Sequence, residues 1–230
     1  MSALCIGIDP APTRGVVVYV ADVGSKRKFH WVCSSALRQS STDPEKLAQS
    51  IAKHLHAGNR VALGYESPLF VPCRDDHSVL GKARVGECNK ATGNRAWSAQ
   101  SGACSLATGL QSLAWVLRRL RELESEATAT TSWSAFQNGA AGLFVWEAFV
   151  SGSEKAMPAS HSDDARLAIR AFQHHVRARD MSSASRINEP QVFSLAGAAI
   201  LFAGLSTDVR LLTVPCVVLR PIPNQPKAEA

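Results

Sequence analysis

The chain has 230 residues, 46% of them apolar and 19% charged, the make-up of an ordinary globular protein with a sizeable core. A net charge of +6 and a pI near 9.2 admit a polyanionic partner, because cationic patches attract phosphate backbones. No basic segment followed by an apolar one opens the sequence, and its most apolar stretch, residues 192–205, falls short of the roughly 20 residues of a membrane span. The expectation is a soluble protein with no membrane partner. Six cysteines are scattered without a C-x-x-C pair, which suits a reduced, cytoplasmic setting.

In chain order, Leu4, Ile6 and Ile8 alternate as a strand that ends at Asp9. Pro10, Pro12 and Gly15 turn the chain, and residues 16–20 return as the second strand of a hairpin. Asp9 therefore closes a core strand, either capping the turn or ligating a metal. Residues 28–34 form a third strand. Thr42 is the expected cap of a helix with Pro44 in its first turn and Leu47, Ile51 and Leu55 on one face, ended by Gly58 and Asn59. Val61, Leu63 and Tyr65 alternate in a fourth strand that closes at Glu66.

Residues 71–100 make a glycine-rich, charged loop, long enough to suggest a function. Its Lys82, Arg84, Lys90 and Arg95 are candidate phosphate contacts, and Trp97 is a candidate base-stacking ring, or else packs on the next helix. That helix carries Leu106, Leu110, Leu113, Leu117 and Leu120. Residues 127–138 read as a linker. Residues 142–150 read as a strand buried on both faces, with Glu147 as its one acid. Glu147 is either a further acid of the site or a buried carboxylate hydrogen-bonded at the strand edge, since a charge in so apolar a run needs a partner. Ser160 to Asp164 open a further helix, and Arg166, Arg170, Arg177 and Arg179 on it form a phosphate-facing patch or a solvated face. A buried helix over 192–205 and a strand over 211–219 complete the expected elements.

This order predicts an α/β fold: a mixed five-stranded sheet, order 3-2-1-4-5 with the first three strands antiparallel, flanked by helices, with an extra C-terminal helix and strand. The first and fourth strands would lie parallel and adjacent, with Asp9 and Glu66 at the carboxyl ends where such sheets place their sites. One domain is expected over residues 1–220, with a flexible tail over 221–230.

Gly7-Ile8-Asp9-Pro10, Glu66 at the end of the fourth strand, and His161-Ser162-Asp163-Asp164-Ala165 at a helix start follow one another in a familiar order. On these residues the chain resembles the ribonuclease H-like nuclease superfamily, in particular the RuvC-type resolvases and the predicted nucleases called DUF429. Ala11, where resolvases carry glycine, and the long loop after Glu66 depart from that pattern. The resemblance implies a nuclease that hydrolyses phosphodiester bonds in DNA or RNA with two Mg²⁺ or Mn²⁺ ions. It implies Asp9, Glu66, Asp164 and His161 as catalytic residues, and Asp9, Glu66, Asp164 and Asp163 as metal ligands. Read singly, Glu66 is also a strand-end acid paired with an arginine, Asp163 and Asp164 ordinary helix-start acids, and His161 a solvent-facing loop histidine. His161 and Asp164 share a helix face, whereas Asp163 points about 100° away from Asp164. The alternative is a catalytically degenerate module of the same fold that binds nucleic acid or a protein partner. A phosphotransferase of the actin and sugar-kinase type would need a glycine-rich phosphate loop, and Ala11-Pro12 stand in its place. The reading leaves a homodimer open.

Overall fold

A computed structural model describes residues 16–23, 28–88, 96–150, 160–185 and 187–222. The expected strand at residues 4–8, with Asp9, lies outside them, as do Lys90, Arg95 and residues 223–230.

The fold is a mixed α/β sandwich around one twisted sheet. In chain order its first half comprises β1 (Val16–Val23), β2 (Phe29–Cys33), β3 (Ser40–Ser41), α1 (Pro44–His56), β4 (Arg60–Tyr65), β5 (Phe70–Pro72) and α2 (Gln100–Leu123). The second half comprises β6 (Ala129–Thr130), α3 (Trp133–Gln137), β7 (Leu143–Ala148), α4 (His161–Ala178), α5 (Met181–Ala184), β8 (Val192–Ser194), α6 (Leu195–Phe202) and β9 (Val218–Leu219). Seven strands make the sheet in the order β3-β2-β1-β4-β7-β6, with β9 also pairing β7. β1 runs antiparallel to β2, and β2 to β3; β1, β4 and β7 are parallel. β6 and β9 share the outer edge of β7, one at each end. β5 and β8 form a separate antiparallel pair.

The pattern of parallel and antiparallel neighbours through β3-β2-β1-β4-β7 is the 3-2-1-4-5 order expected, but different segments fill it. Val16–Val23 is not merely a return strand: it holds the central place beside Arg60–Tyr65 that was expected for residues 4–8. Its VVVYVADV run explains this, because a strand covered on both faces reads as a nearly continuous apolar run rather than an alternating one. Segment 28–34 then takes the second place and Ser40–Ser41 the third.

Pleat alternation divides the core. Tyr19, Ala21, Leu63, Tyr65 and Val145 pack under α1, α2 and α6, whereas Val18, Val20, Ala62, Phe144 and Trp146 pack under α3, α4 and α5. Gly64 faces Trp146 so closely that an added Cβ would enter the indole ring.

Further boundaries differ from expectation. Asp43, not Thr42, caps α1, accepting from the Glu45 and Lys46 amides. The expected linker contains β6 and α3, whose Trp133 and Phe136 are buried against Phe144. The expected buried helix begins as β8 and becomes helical at Leu195, where Ser194 caps it through the Gly197 amide at 3.1 Å. The expected last strand is a 3-10 turn at residues 209–212 followed by the short β9. No helix among the described residues is long and apolar enough to cross a membrane. The described cysteines are all free thiols.

Candidate functional site

The register of the two central strands positions the site. Ala21 pairs with Tyr65, and both face α1 and α2. The next residues, Asp22 and Glu66, are therefore directed to the opposite face, toward α4. The Glu66 amide donates to the Ala21 carbonyl at 2.9 Å, so the pairing continues one step past β4. Ser67 turns back to α2, donating from its hydroxyl to the Ser105 carbonyl at 2.9 Å.

α4 delivers the other side chains. Ser160 caps it and Asp163 returns the bond, a capping box that sets where the first turn begins. His161 and Asp164, three residues apart, then face the sheet together with Ala165 and Ala168. Asp164 is buried, and His161 pairs through Nδ1 with Oδ2 of Asp22. Asp22, only 4% exposed, sits opposite His30 in the β1–β2 register. The His30 and His161 rings stack 5.2 Å apart with planes 17° from parallel. Partial burial, and then the neighbouring His161 ring, hold His30 below the ordinary imidazole pKa, against the pull of Asp22. The carboxyl ends of β1 and β4 thus carry Asp22, Glu66, Asp164, His161 and His30 on one face.

Asp22 and His30 are absent from the sequence expectations. Their signal was an aspartate closing a continuous apolar run and a histidine one step out of phase with Phe29 and Trp31.

Asp163 does not join this group. Its carboxylate accepts from the Ser160 amide and hydroxyl and from Arg166 at 2.8 Å, which hold it below the usual carboxylate range, the Ser160 hydroxyl contributing most. It is a helix cap, 100° round from Asp164, and the expectation of a metal ligand there is corrected.

Arg84 does not reach a phosphate either. Its side chain is fully buried, donating to Glu147 at 2.7 and 2.8 Å and to Glu87 at 2.9 and 3.2 Å, over the Phe70 ring. This is the partner Glu147 required. Glu147 pairs in register with Tyr65 and so faces α2, away from Glu66 and Asp22; it also accepts from the Leu69 amide at 2.9 Å. Trp97 donates its indole N–H to the Lys82 carbonyl at 3.1 Å, closing the long loop on itself, while the Lys82 side chain stays exposed.

Carboxylates at strand ends are the donors a hard cation takes. Among the described residues, however, no three His, Cys, Asp or Glu side chains come together as a metal-binding group. The described part of the site does not by itself fit a two-ion centre, and Asp9 lies outside it. What the described arrangement can do is hold an imidazole: with Nδ1 on Asp22, His161 has Nε2 left to take or give a proton. No protein-family model, curated protein or solved structure matches the chain.

Proposed function

We propose that this chain is a phosphodiester hydrolase of ribonuclease H-like fold that acts on nucleic acid. The observation that carries the reading is the placement of Asp22 and Glu66 at the carboxyl ends of the adjacent parallel strands β1 and β4, with Asp164 buried on α4, within the β3-β2-β1-β4-β7 order. Open α/β sheets place their chemistry at that edge.

In this reading His161, oriented by Asp22, moves the proton of the attacking water or of the leaving oxygen through Nε2. His30, kept neutral, stacks on it and fixes the ring plane. Asp164 and Glu66 supply the negative charge at the strand ends. Were Mg²⁺ or Mn²⁺ bound as the resemblance implies, Asp9, Glu66 and Asp164 would be the residues to hold it, and it would supply Lewis acidity.

The test is cleavage of a panel of single-stranded, duplex and branched DNA and RNA with Mn²⁺. Products are expected, with Asp164→Asn abolishing them and His161→Ala reducing the rate about 10²- to 10⁴-fold, the usual contribution of one general acid–base group. A panel that stays intact with wild-type protein refutes the reading.

A second reading, a binding module with a degenerate site, is favoured by the histidine already paired with Asp22. It expects salt-dependent nucleic-acid binding that Asp164→Asn leaves unchanged.

A further inference from the structure

We propose that the outer face of α4, continued by Arg38, is a binding track for the phosphate backbone of a nucleic acid. The identity of the polyanion rests on the function proposed above; the track itself rests on the arginines.

Elsewhere in the described structure each arginine is held by a carboxylate or a carbonyl, as Arg74 is by Glu189 and Arg210 by Asp208. Arg38, Arg170, Arg177 and Arg179 have no such partner among the described residues. Arg170 and Arg177 share the outer face of α4, and Arg38 adjoins it through Leu37. Arg166, Arg170, His174 and Arg177 fall within about 80° of arc on α4 at 3.6 residues per turn. This arc is opposite the side buried by Ala165, Ala168, Ile169 and Phe172. Arg179 caps the helix, and Arg38 follows Leu37, whose carbonyl accepts from Arg166 Nε at 2.6 Å. Asp163 is engaged by Arg166 and Asp180 by His175, while Asp164, the other acid of this helix, is buried on its inner side.

Arg166 to Arg177 covers about 16 Å at 1.5 Å per residue, or about five steps of one duplex strand at 3.4 Å each. Arg166 and Arg170 are about 6 Å apart along the axis and Arg170 and Arg177 about 10 Å, close to the Debye length of about 10 Å at 0.1 M salt, so they act together on a polyanion. The row begins at Arg166, two residues past Asp164 and five past His161, on the side of the helix turned away from the sheet. Guanidinium groups suit this task, since their fork matches phosphate oxygens. A membrane surface fits less well, because an interfacial helix needs a free apolar face and that of α4 is buried against the sheet.

The experiment measures binding of a fluorescent 20-nucleotide strand and of its duplex by anisotropy, with EDTA present, across a salt series. Arg170→Gln with Arg177→Gln is expected to reduce the slope of log K against log salt by about 1.4 to 1.8, at 0.7 to 0.9 per contact removed. Arg170→Lys with Arg177→Lys is expected to restore most of it, and Arg118→Gln with Arg210→Gln to leave it unchanged. An unchanged slope in the α4 double variant overturns the proposal. So does tighter binding to vesicles containing phosphatidylserine than to either nucleic acid. A wild-type protein that binds as described but cleaves nothing keeps the track and loses the nuclease; one that cleaves with an unaltered slope keeps the nuclease and loses the track.

Discussion

Replacing Arg84 with methionine tests the ion cluster that locks the long loop to the sheet. Arg84 is fully buried, and Glu87 and Glu147 are each only 1% exposed. Methionine occupies similar volume but leaves two carboxylates in an apolar surround. Their remaining donors are the Arg84 amide for Glu87 and the Leu69 amide for Glu147, each at 2.9 Å. Removing one partner of a buried pair costs about 3–5 kcal/mol. In a chain of this size each kcal/mol moves the melting temperature by about 2–4 °C, so Arg84→Met is expected to melt roughly 6–20 °C lower. Thermal denaturation followed by circular dichroism, with urea midpoints alongside, reads this directly. The penalty belongs to the stranded charges, so adding Glu87→Gln and Glu147→Gln, which keep the acceptors and remove the charge, is expected to recover much of it. A single Arg84→Met variant melting within 2 °C of wild type would refute the reasoning, as would a triple variant less stable than the single one.

Three further outcomes are expected. Asp163→Ala removes the reciprocal half of the α4 capping box and a first-turn negative charge, and is expected to cost about 0.3–1 kcal/mol at pH 7, read as a lowered urea midpoint. Because Asp163 is held below its unfolded pKa of about 3.9, its contribution is complete above that value. It is lost as pH falls through the lower folded value, so wild type and variant should converge as the same titration is carried into acid below it. Gly109→Ala puts a Cβ into the side chain of Ser67, next to Glu66; cleavage should fall by more than the change in stability explains, and a proportionate loss would argue against this route. Gly64→Ala drives a methyl into the buried Trp146 ring and is expected to cost about 1–3 kcal/mol or more in a thermal melt, with a quenched or shifted tryptophan emission.

Much of the fold is legible along the chain because local rules agree with it. The β4 alternation, the α1 face with Leu47 and Ile51, and the apolar β7 run all emerge where periodicity and capping residues indicate. What fails is the assignment of strands to places. Residues 4–8 and 16–23 are both credible central strands by pattern, and only hydrogen-bond register shows that Val16–Val23 lies beside β4. The same limit applies to the two-residue strands β3, β6 and β9, which exist because a neighbouring edge offers partners.

The candidate site divides in the same way. Sequence alone determined that Glu66 ends a strand, that His161 and Asp164 share one face of a helix, and that Asp163 does not. Those facts follow from the fixed periods of strand and helix. Tertiary structure alone decided that Asp22 stands beside Glu66, that His30 stacks on His161, and that Glu147 and Arg84 neutralise one another on the other face. Each of these depends on which strand pairs with which and in what register. A shift of a single residue turns every side chain of a strand to the opposite face.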